Sequence, residues 1–138
     1  MAALSAARGT KSRSLSKKVS YLMKASTDIY AGGLVMIDSN GLAVPATAEA
    51  SNQGCVGVAT ESVSSTASGN ERVIVQEGIF LMDAASLAQS AVGAKVYASD
   101  DQTVDETQGS QEPLAGICAE FVSSTSAWIE VSLTNSKL

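Results

Sequence analysis

The sequence predicts an all-β protein, a sandwich or barrel with at most one short helix. About nine or ten short apolar stretches are separated by turn-forming residues, which is typical of β-sandwiches and β-barrels. Two of these stretches, 71–78 and 127–134, alternate apolar and polar residues with the period of a strand. A chain of 138 residues can bury two packed layers, so we expect a single β domain at 19–138.

The first predicted elements are a strand and a hairpin. Their order is a strand at 19–24, a turn at 26–33, a strand at 34–38 and a return strand at 42–45 that ends at Pro45. Asn40 and Gly41 predict the hairpin turn, because both residues tolerate the positive φ that tight hairpins need.

The middle of the chain continues the strand pattern. Residues 55–63 are apolar and small enough to form a buried strand. A corner or bulge is expected at Gly78, between strands at 71–78 and 79–84, because glycine inside a strand usually marks such a site.

Residues 83–93 are the one helical candidate. Asp83 is placed to cap this helix, and Gly93 is placed to end it. The last predicted elements are a strand, a turn and a strand within 94–107, a loop and a strand within 109–122, and a final strand at 127–134. Alternation in the final strand puts Trp128 on the face opposite Ile129.

Two ten-residue segments reveal an internal repeat. Residues 57–66 are GVATESVSST and residues 116–125 are GICAEFVSST, identical at six of ten positions. The similarity extends to copies at about 32–77 and 92–133, each with a hairpin, a polar loop, a glycine-containing strand, a Ser/Thr turn and an alternating strand. Coincidence in a chain rich in Ser, Ala and Val is the alternative. Duplication, which we favour, predicts two layers that cover each other's apolar faces.

The repeat gives matching residues structural roles. Gly57 and Gly116 lie inside strands, where glycine marks a bulge or a close approach of backbone. Glu61 and Glu120 fall on the face opposite the apolar residues, which favours exposed carboxylates over a catalytic pair. The turn serines are expected to bond backbone amides: Ser64, Ser65, Ser123 and Ser124. The other aligned positions are Gly33 with Gly93, Ser39 with Ser99, Val44 with Val104, Val73 with Ile129, and Val75 with Val131.

Charge divides the chain into a basic start and an acidic body. Residues 1–24 hold six basic residues and no acid, whereas the remainder holds three basic residues and all fourteen acids, a net charge of −11. Residues 1–18 are rich in Ser and Ala and are predicted to form an extended arm. The candidate interface residues on this arm are Arg8, Lys11, Arg13, Lys17 and Lys18.

Four interpretations of the arm remain open at this point. A basic arm binds nucleic acid, or it orders on an acidic protein surface. An acid-poor, Ser- and Arg-containing start also resembles a mitochondrial transit peptide. The fourth interpretation is a solvated tail without a partner.

The composition argues against an enzyme. The chain contains no histidine, which excludes Ser-His-Asp and Cys-His catalysis and disfavours an ordinary zinc site. Cys55 and Cys118 are interpreted as small buried thiols in a reducing compartment, with a disulfide as the alternative. The acidic stretch 99–107 lacks the spacing of a calcium loop and favours a solvated turn. No metal, cofactor or membrane span is therefore expected.

The residue series from about 19 to 133 resembles the capsid cement, or head-decoration, proteins of tailed phages. The segments that carry the resemblance are TDIYAGGLVMIDSNGLAVPAT, GCVGVATESV, RVIVQEGIFLMDAASLAQSAVGAKVYASDD, LAGICAEFV and AWIEVSL. The resemblance implies a jelly-roll-like β protein without catalytic residues, which binds the outside of an HK97-type shell and bridges major capsid subunits. It also implies a homo-oligomer, with a dimer favoured over a trimer. The expected location is the outer surface of the head, after synthesis in the host cytoplasm.

Two other function classes stay open beside this one. The first is a nucleic-acid-associated protein that uses the basic arm, although the acidic body disfavours direct contact with DNA. The second is a small structural module of a phage tail or baseplate.

Overall fold

The computed structural model of the chain describes residues 17–47, 54–107 and 112–133. These residues form strands and a single 3-10 turn at Gln89–Ala91. The strands in chain order are β1 (Lys18–Leu22), β2 (Asp28–Ile29), β3 (Leu34–Ile37), β4 (Ala43–Pro45), β5 (Cys55–Ala59), β6 (Val63–Ser64), β7 (Arg72–Gln76), β8 (Gly78–Ala85), β9 (Lys95–Ala98), β10 (Thr103–Asp105), β11 (Leu114–Ser123) and β12 (Ser126–Val131). The predicted all-β class, sandwich or barrel, is confirmed.

The first half of the described chain forms a curled sheet, here called the first array. Its strands lie in the order β1-β7-β5-β3-β4, and all neighbours are antiparallel. The two edge strands meet through a parallel bridge between Met23 and Ala43. The Lys24 amide also donates to the Ala43 carbonyl oxygen at 3.1 Å. The sheet therefore curls until its edges touch.

The second half forms a closed barrel. Its strands lie in the order β10-β8-β12-β11-β9, with β10 parallel to β8 and the other neighbours antiparallel. The chain leaves the first array after Gln76, and Gly78 begins the first strand of the barrel. The corner predicted at Gly78 is confirmed. The jelly-roll topology implied by the family resemblance stays a prediction.

Two hydrophobic cores lie side by side. The smaller core fills the first array: Met23, Ile29, Val35, Ile37, Ala43, Val56, Ala59, Val73 and Val75. The larger core fills the barrel and also takes side chains from the other face of the first array, among them Leu34, Met36, Val44, Cys55 and Val58. Successive side chains of β3 thus enter different cores, as the period of a strand dictates. This explains why β3 is apolar throughout: it is buried on both faces.

The helix expected at 83–93 is present only as the 3-10 turn at Gln89–Ala91, and its predicted start at Asp83 is wrong. β8 runs on to Ala85, so Asp83 lies within the strand, opposite Ser126, and caps nothing. The reason is burial with a period of two: Met82 and Ala84 point into the larger core while Asp83 is exposed. A helix would have broken that alternation.

A short strand pair was missing from the prediction. β2 lies inside the segment predicted as a turn at 26–33, and it pairs with β6 through Asp28 with Ser64 and Ile29 with Val63. Ile29 is buried in the smaller core, so this two-residue ladder covers part of the first array. In the described part of the chain, no helix has the length and apolarity needed to cross a bilayer.

The two arrays share one strand plan. The order β4-β3-β5-β7-β1 in the first array corresponds to β10-β9-β11-β12-β8 in the barrel. The Met23–Ala43 bridge that joins the edges of the first array corresponds to the Ala84–Val104 pair that closes the barrel. The correspondence therefore includes β1 and β8, which lie outside the predicted copies.

Hydrogen bonds give the correspondence residue by residue. The Gly32 amide donates to the Ala59 carbonyl oxygen at 2.9 Å, and the Gly93 amide donates to the Cys118 carbonyl oxygen at 2.8 Å. Both glycines have a positive φ, +86° and +83°. Gly93 therefore corresponds to Gly32, whereas the sequence alignment matched it with Gly33.

The last strands are also shifted relative to the sequence alignment. Val75 pairs with Val19 in the first array, and Ile129 pairs with Phe80 at the matching inward position of the barrel. Val75 thus corresponds to Ile129, whereas the sequence alignment matched it with Val131. Val73 corresponds to Ala127, whereas the sequence alignment matched it with Ile129. Gly57 and Gly116 correspond as aligned, because they pair with Val35 and Val96 at matching positions of β3 and β9. Such a correspondence is what duplication predicts, and duplication itself stays a hypothesis.

Candidate interaction surfaces

Two of the five predicted interface residues, Lys17 and Lys18, lie where β1 begins. Lys18 begins β1, pairs with Gln76 and is exposed. Lys17 is exposed and has a φ of +50°, and its carbonyl oxygen accepts a hydrogen bond from the Glu77 amide at 3.1 Å. The structure therefore fixes residue 17 at the corner between the two arrays. The other three residues lie outside the described residues: Arg8, Lys11 and Arg13.

An open depression of ≈ 520 Å³ lies beside Lys17. Its lining residues are Lys17, Glu77, Gly78, Ile79, Glu130, Val131 and Ser132. The Glu77 carboxylate also accepts a hydrogen bond from the Leu133 amide at 2.6 Å. The point where the arm joins the domain is thus lined by two carboxylates and an exposed apolar side chain of the barrel.

An exposed apolar face extends from this depression across the barrel, here called the outer barrel face. It is defined by Ile79 and Leu81 of β8 and Trp128 of β12, whose side chains are 54%, 51% and 37% exposed. Leu81 and Trp128 are direct cross-strand partners. Side chains at such positions contact each other on one face of a sheet, so the three residues form a continuous patch.

Carboxylates border the outer barrel face. Glu130 pairs with Ile79, Glu120 of β11 pairs with Trp128, and all the acidic residues of this border are exposed. Asp83 lies at the far end of the face, opposite Ser126. The face therefore combines apolar area with negative charge, which suits a partner that carries apolar and basic groups.

The corresponding face of the first array is mainly polar, with Ile74 as an exposed apolar side chain. Lys18 and Ser20 of β1 occupy the positions of Ile79 and Leu81, and Arg72 and Ile74 of β7 lie beside them. The Arg72 guanidinium donates to the Ser20 hydroxyl at 3.0 Å and to the Ser20 carbonyl oxygen at 2.9 Å. These two bonds hold the guanidinium beside β1.

The repeated glycines have the predicted role. A Cβ added to Gly57 would lie 2.5 Å from the Gln76 carbonyl oxygen, and one added to Gly116 would overlap the Glu130 carbonyl oxygen. The expected close approach of backbone is confirmed at both positions, which makes these glycines structural.

The repeated polar residues are also structural or solvent-exposed. Glu61 and Glu120 are exposed, as predicted. The Ser65 hydroxyl accepts a hydrogen bond from the Thr27 amide at 2.8 Å and donates to the Lys24 carbonyl oxygen at 2.5 Å. The Ser123 hydroxyl accepts from the Thr125 amide at 3.2 Å. For these two serines the predicted bonds to backbone amides are confirmed.

Glu71 closes the turn that precedes β7. Its carboxylate accepts a hydrogen bond from the Thr66 amide at 3.0 Å. This bond is the main reason that the pKa of Glu71 lies below its usual value of 4.5. The ionised carboxylate therefore stabilises this turn.

The two cysteines are buried free thiols. Burial raises the pKa of Cys55 to about 12 and also raises the pKa of Cys118. Both groups are therefore protonated at neutral pH and poor nucleophiles.

The acidic stretch closes the β9–β10 hairpin. The Asp100 carboxylate accepts hydrogen bonds from the Gln102 and Thr103 amides, each at 2.8 Å. The described residues contain no group of three or more Asp, Glu, Cys or His side chains that could hold a metal ion.

One buried polar atom lacks a partner among the described residues, the hydroxyl oxygen of Tyr21. Tyr21 lies in β1 and packs against the smaller core. Burial, with a smaller contribution from the Glu77 carboxylate, raises the pKa of Tyr21. At the corresponding inward position the barrel carries the apolar Met82. The buried hydroxyl without a hydrogen-bond partner is therefore a feature of the first array that the barrel does not share.

The exposed apolar face and the structural roles of the repeated polar residues fit a protein that binds other proteins. The family described as phage cement protein matches residues 14–133. The chain belongs to this family. Phage cement proteins are structural, so family membership supports a structural role in the capsid and an association with capsid proteins. A search of curated proteins and a search of solved structures each found no match.

Sequence reasoning missed the outer barrel face, although it placed one member correctly. Alternation in the last strand predicted that Trp128 faces away from Ile129, and Ile129 is fully buried. β8 begins with an apolar run on both faces, so its pattern carried no sign that Ile79 and Leu81 are exposed. Only the pairing of β8 with β12 brings the three side chains together.

Proposed function

We propose that this protein binds the outside of an HK97-type phage shell, bridges neighbouring major capsid subunits and stabilises the head. The observation that carries the proposal is the family match over residues 14–133, which covers most of the chain. The exposed faces described above are consistent with a function that depends on binding to other proteins. The proposal includes no catalytic activity.

The arm is proposed as one contact with the shell. Arg8, Lys11 and Arg13, together with Lys17 and Lys18 at the start of β1, would bind acidic groups of the capsid surface. Residues 1–18 in extended form span at most about 60 Å, which is enough to reach beyond the footprint of a small domain. Since a shell offers many equivalent sites, modest affinity for each copy becomes large avidity for an oligomer.

Self-association is a second part of the proposal. A cement protein that bridges capsid subunits gains reach and avidity as a homo-oligomer. The family resemblance favours a dimer over a trimer, and light scattering on the purified chain measures which is present. We place the assembled protein on the outer surface of the virion, after synthesis in the host cytoplasm.

The experiment is a binding titration on undecorated shells. The full chain is mixed with shells, and the bound fraction is measured by co-sedimentation beside a variant that lacks residues 2–16. This deletion leaves Lys17 and Lys18 in place, so the hydrogen bond to Glu77 and the β1 pairing remain. We expect saturable binding of the full chain and weaker binding of the variant.

Each outcome tests a separate part of the proposal. Absence of binding by the folded full chain would refute the shell-binding function. Equal binding by both chains would refute only the role proposed for residues 2–16 of the arm and would leave shell binding by the domain intact. Tight, steeply salt-dependent binding of duplex DNA, with none to shells, would favour the nucleic-acid alternative.

A further inference from the structure

We propose that residues 1–16 of the chain dock on the outer barrel face of their own domain while the protein is free in solution. The first observation is where the described chain begins. Residue 17 is anchored to Glu77, in a depression that also contains Ile79 and Glu130. The segment that precedes residue 17 therefore joins the domain at the edge of the outer barrel face.

The second observation is that this face carries uncommitted apolar area and charge. Ile79, Leu81 and Trp128 form a patch of a kind that small soluble proteins usually cover or use. Within the described ranges, neither Glu120 nor Glu130 forms an ion pair. The face therefore offers both a hydrophobic surface and carboxylates that lack a basic partner.

The third observation is complementary chemistry in the arm. Residues 1–16 contain Arg8, Lys11 and Arg13 and no acidic residue, with Leu4 and Leu15 as apolar side chains. Leu15 lies two residues before residue 17, so it is within about 7 Å of the depression along the chain. The arm thus carries both kinds of group that the face would bind.

Length and connectivity favour the arm of the same chain over that of a second copy. The strands of the face are six to eight residues long, which is about 20–27 Å, and sixteen extended residues reach about 55 Å. Because the arm is tethered at the edge of the face, its effective concentration there reaches about the millimolar range. A second copy has no such advantage at ordinary protein concentrations.

Charge also disfavours pairing of the face with itself. Two copies joined face to face would bring the Glu120 and Glu130 carboxylates of both chains together, which is repulsive. The nearest basic side chain in register is Lys95 of β9, two strands away from β12. Lys17 lines the same depression as Glu130 but forms no ion pair with it among the described residues. A basic segment is the complementary occupant.

Trp128 is a built-in reporter of this contact, because it is the one tryptophan of the chain and belongs to the face. The experiment measures acrylamide quenching of its fluorescence in the full chain and in the variant that lacks residues 2–16. If the arm covers half of the exposed indole, deletion raises the quenching constant about twofold. About 0.5 M salt should remove most of this difference, since screening weakens contacts with exposed carboxylates.

Two further variants separate charge from chain length. The triple reversal R8E, K11E and R13E keeps the length and should give the quenching of the deletion variant. The matched control S5A, S12A and S14A changes three positions of the same segment without changing charge, and it should keep the quenching of the full chain. Circular dichroism establishes that all variants are folded.

Two results would overturn the inference. The first is equal quenching in the full chain, the deletion and the reversal. The second is a difference that disappears on dilution together with a fall in mass by light scattering, which would make the arm of a second copy the occupant. The experiment contains no shells, so its failure and the failure of shell binding are independent.

Discussion

The first array and the barrel share a strand plan but present different outer faces. The positions occupied by Lys18 and Ser20 on β1 correspond to Ile79 and Leu81 on β8. Ile74 on β7 corresponds to Trp128 on β12, so only one position of the first face is apolar and exposed. One face is polar with basic groups, and the other is apolar with carboxylates around it. The lesson is that the shared plan constrains the backbone, while the surfaces of the two arrays are free to differ.

A second difference concerns the faces that hold the arrays together. In the first array, Leu34 and Met36 of β3 point away from their own core and are buried in the larger one. At the corresponding positions of β9 the barrel carries Lys95, which is exposed, and Tyr97, which is half-buried. β3 is therefore buried on both faces, whereas its counterpart β9 is buried on one.

The largest expected effect tests the shared backbone plan. Gly116→Ala places a Cβ onto the Glu130 carbonyl oxygen, and we expect a loss of about 4 kcal/mol of unfolding free energy or a failure to fold. Gly57→Ala should behave similarly because of the Gln76 carbonyl oxygen. Urea denaturation measures both losses.

Gly41→Ala is the matched control for these two variants. An added Cβ at Gly41 has no atom within 4 Å, although its φ is +80°. The control should therefore lose only about 1 kcal/mol. If all three variants lost the same amount, close backbone approach would not explain the repeated glycines.

The next effect separates the inner from the outer face of the barrel. Ile129→Ala removes a fully buried side chain and should lower the unfolding free energy by about 3 kcal/mol. Leu81→Ser copies the serine found at the corresponding position of the first array, and it should cost less than about 1 kcal/mol. Comparable losses in urea denaturation would contradict the assignment of Leu81 to a free surface.

A smaller effect concerns the buried hydroxyl of the first array. Tyr21→Phe removes an oxygen without a hydrogen-bond partner among the described residues and should raise the unfolding free energy by about 1 kcal/mol. Ser20→Ala is a useful comparison on the same strand, because its hydroxyl accepts from Arg72 at the surface. A destabilised Tyr21→Phe variant would show that the hydroxyl has a partner in solution.

The smallest effect is a pH dependence from Glu71. Its pKa is lowered in the folded state, so its contribution to stability is complete above pH 4.5 and is lost as pH falls through the lower folded pKa. Glu71→Gln should therefore flatten the acid side of the stability curve slightly. Unfolding midpoints measured from neutral pH down to the acid transition test this, and identical curves for both proteins would argue against the Thr66 bond.

Much of the fold follows from local sequence, for identifiable reasons. The hairpin at Asn40 and Gly41 forms as predicted, although only Gly41 uses a positive φ. The close contacts of Gly57 and Gly116 follow from glycine inside apolar strands. The alternation of β12 correctly placed Trp128 outside and Ile129 inside.

The remainder depended on long-range pairing that sequence patterns do not contain. The sequence does not distinguish the adjacent glycines at 32 and 33. The positive φ of Gly32, which Gly93 shares, identifies Gly32 as the counterpart of Gly93. Asp83 was expected to cap a helix because the residues that follow it are compatible with one. In the structure β8 pairs with β12 as far as Asp83, so the strand continues through this residue. The outer barrel face was not predictable because its members come from two strands that meet only in the folded barrel.

The proposed stabilisation of the head from outside by this phage cement protein is measured by the rupture temperature of DNA-filled heads. Heads that lack the protein are titrated with the full chain, and rupture is followed by the release of DNA to an intercalating dye on heating. We expect a rupture temperature that rises with occupancy and levels off when the sites are filled. An unchanged rupture temperature at full occupancy, with electron microscopy showing the protein bound, would contradict it.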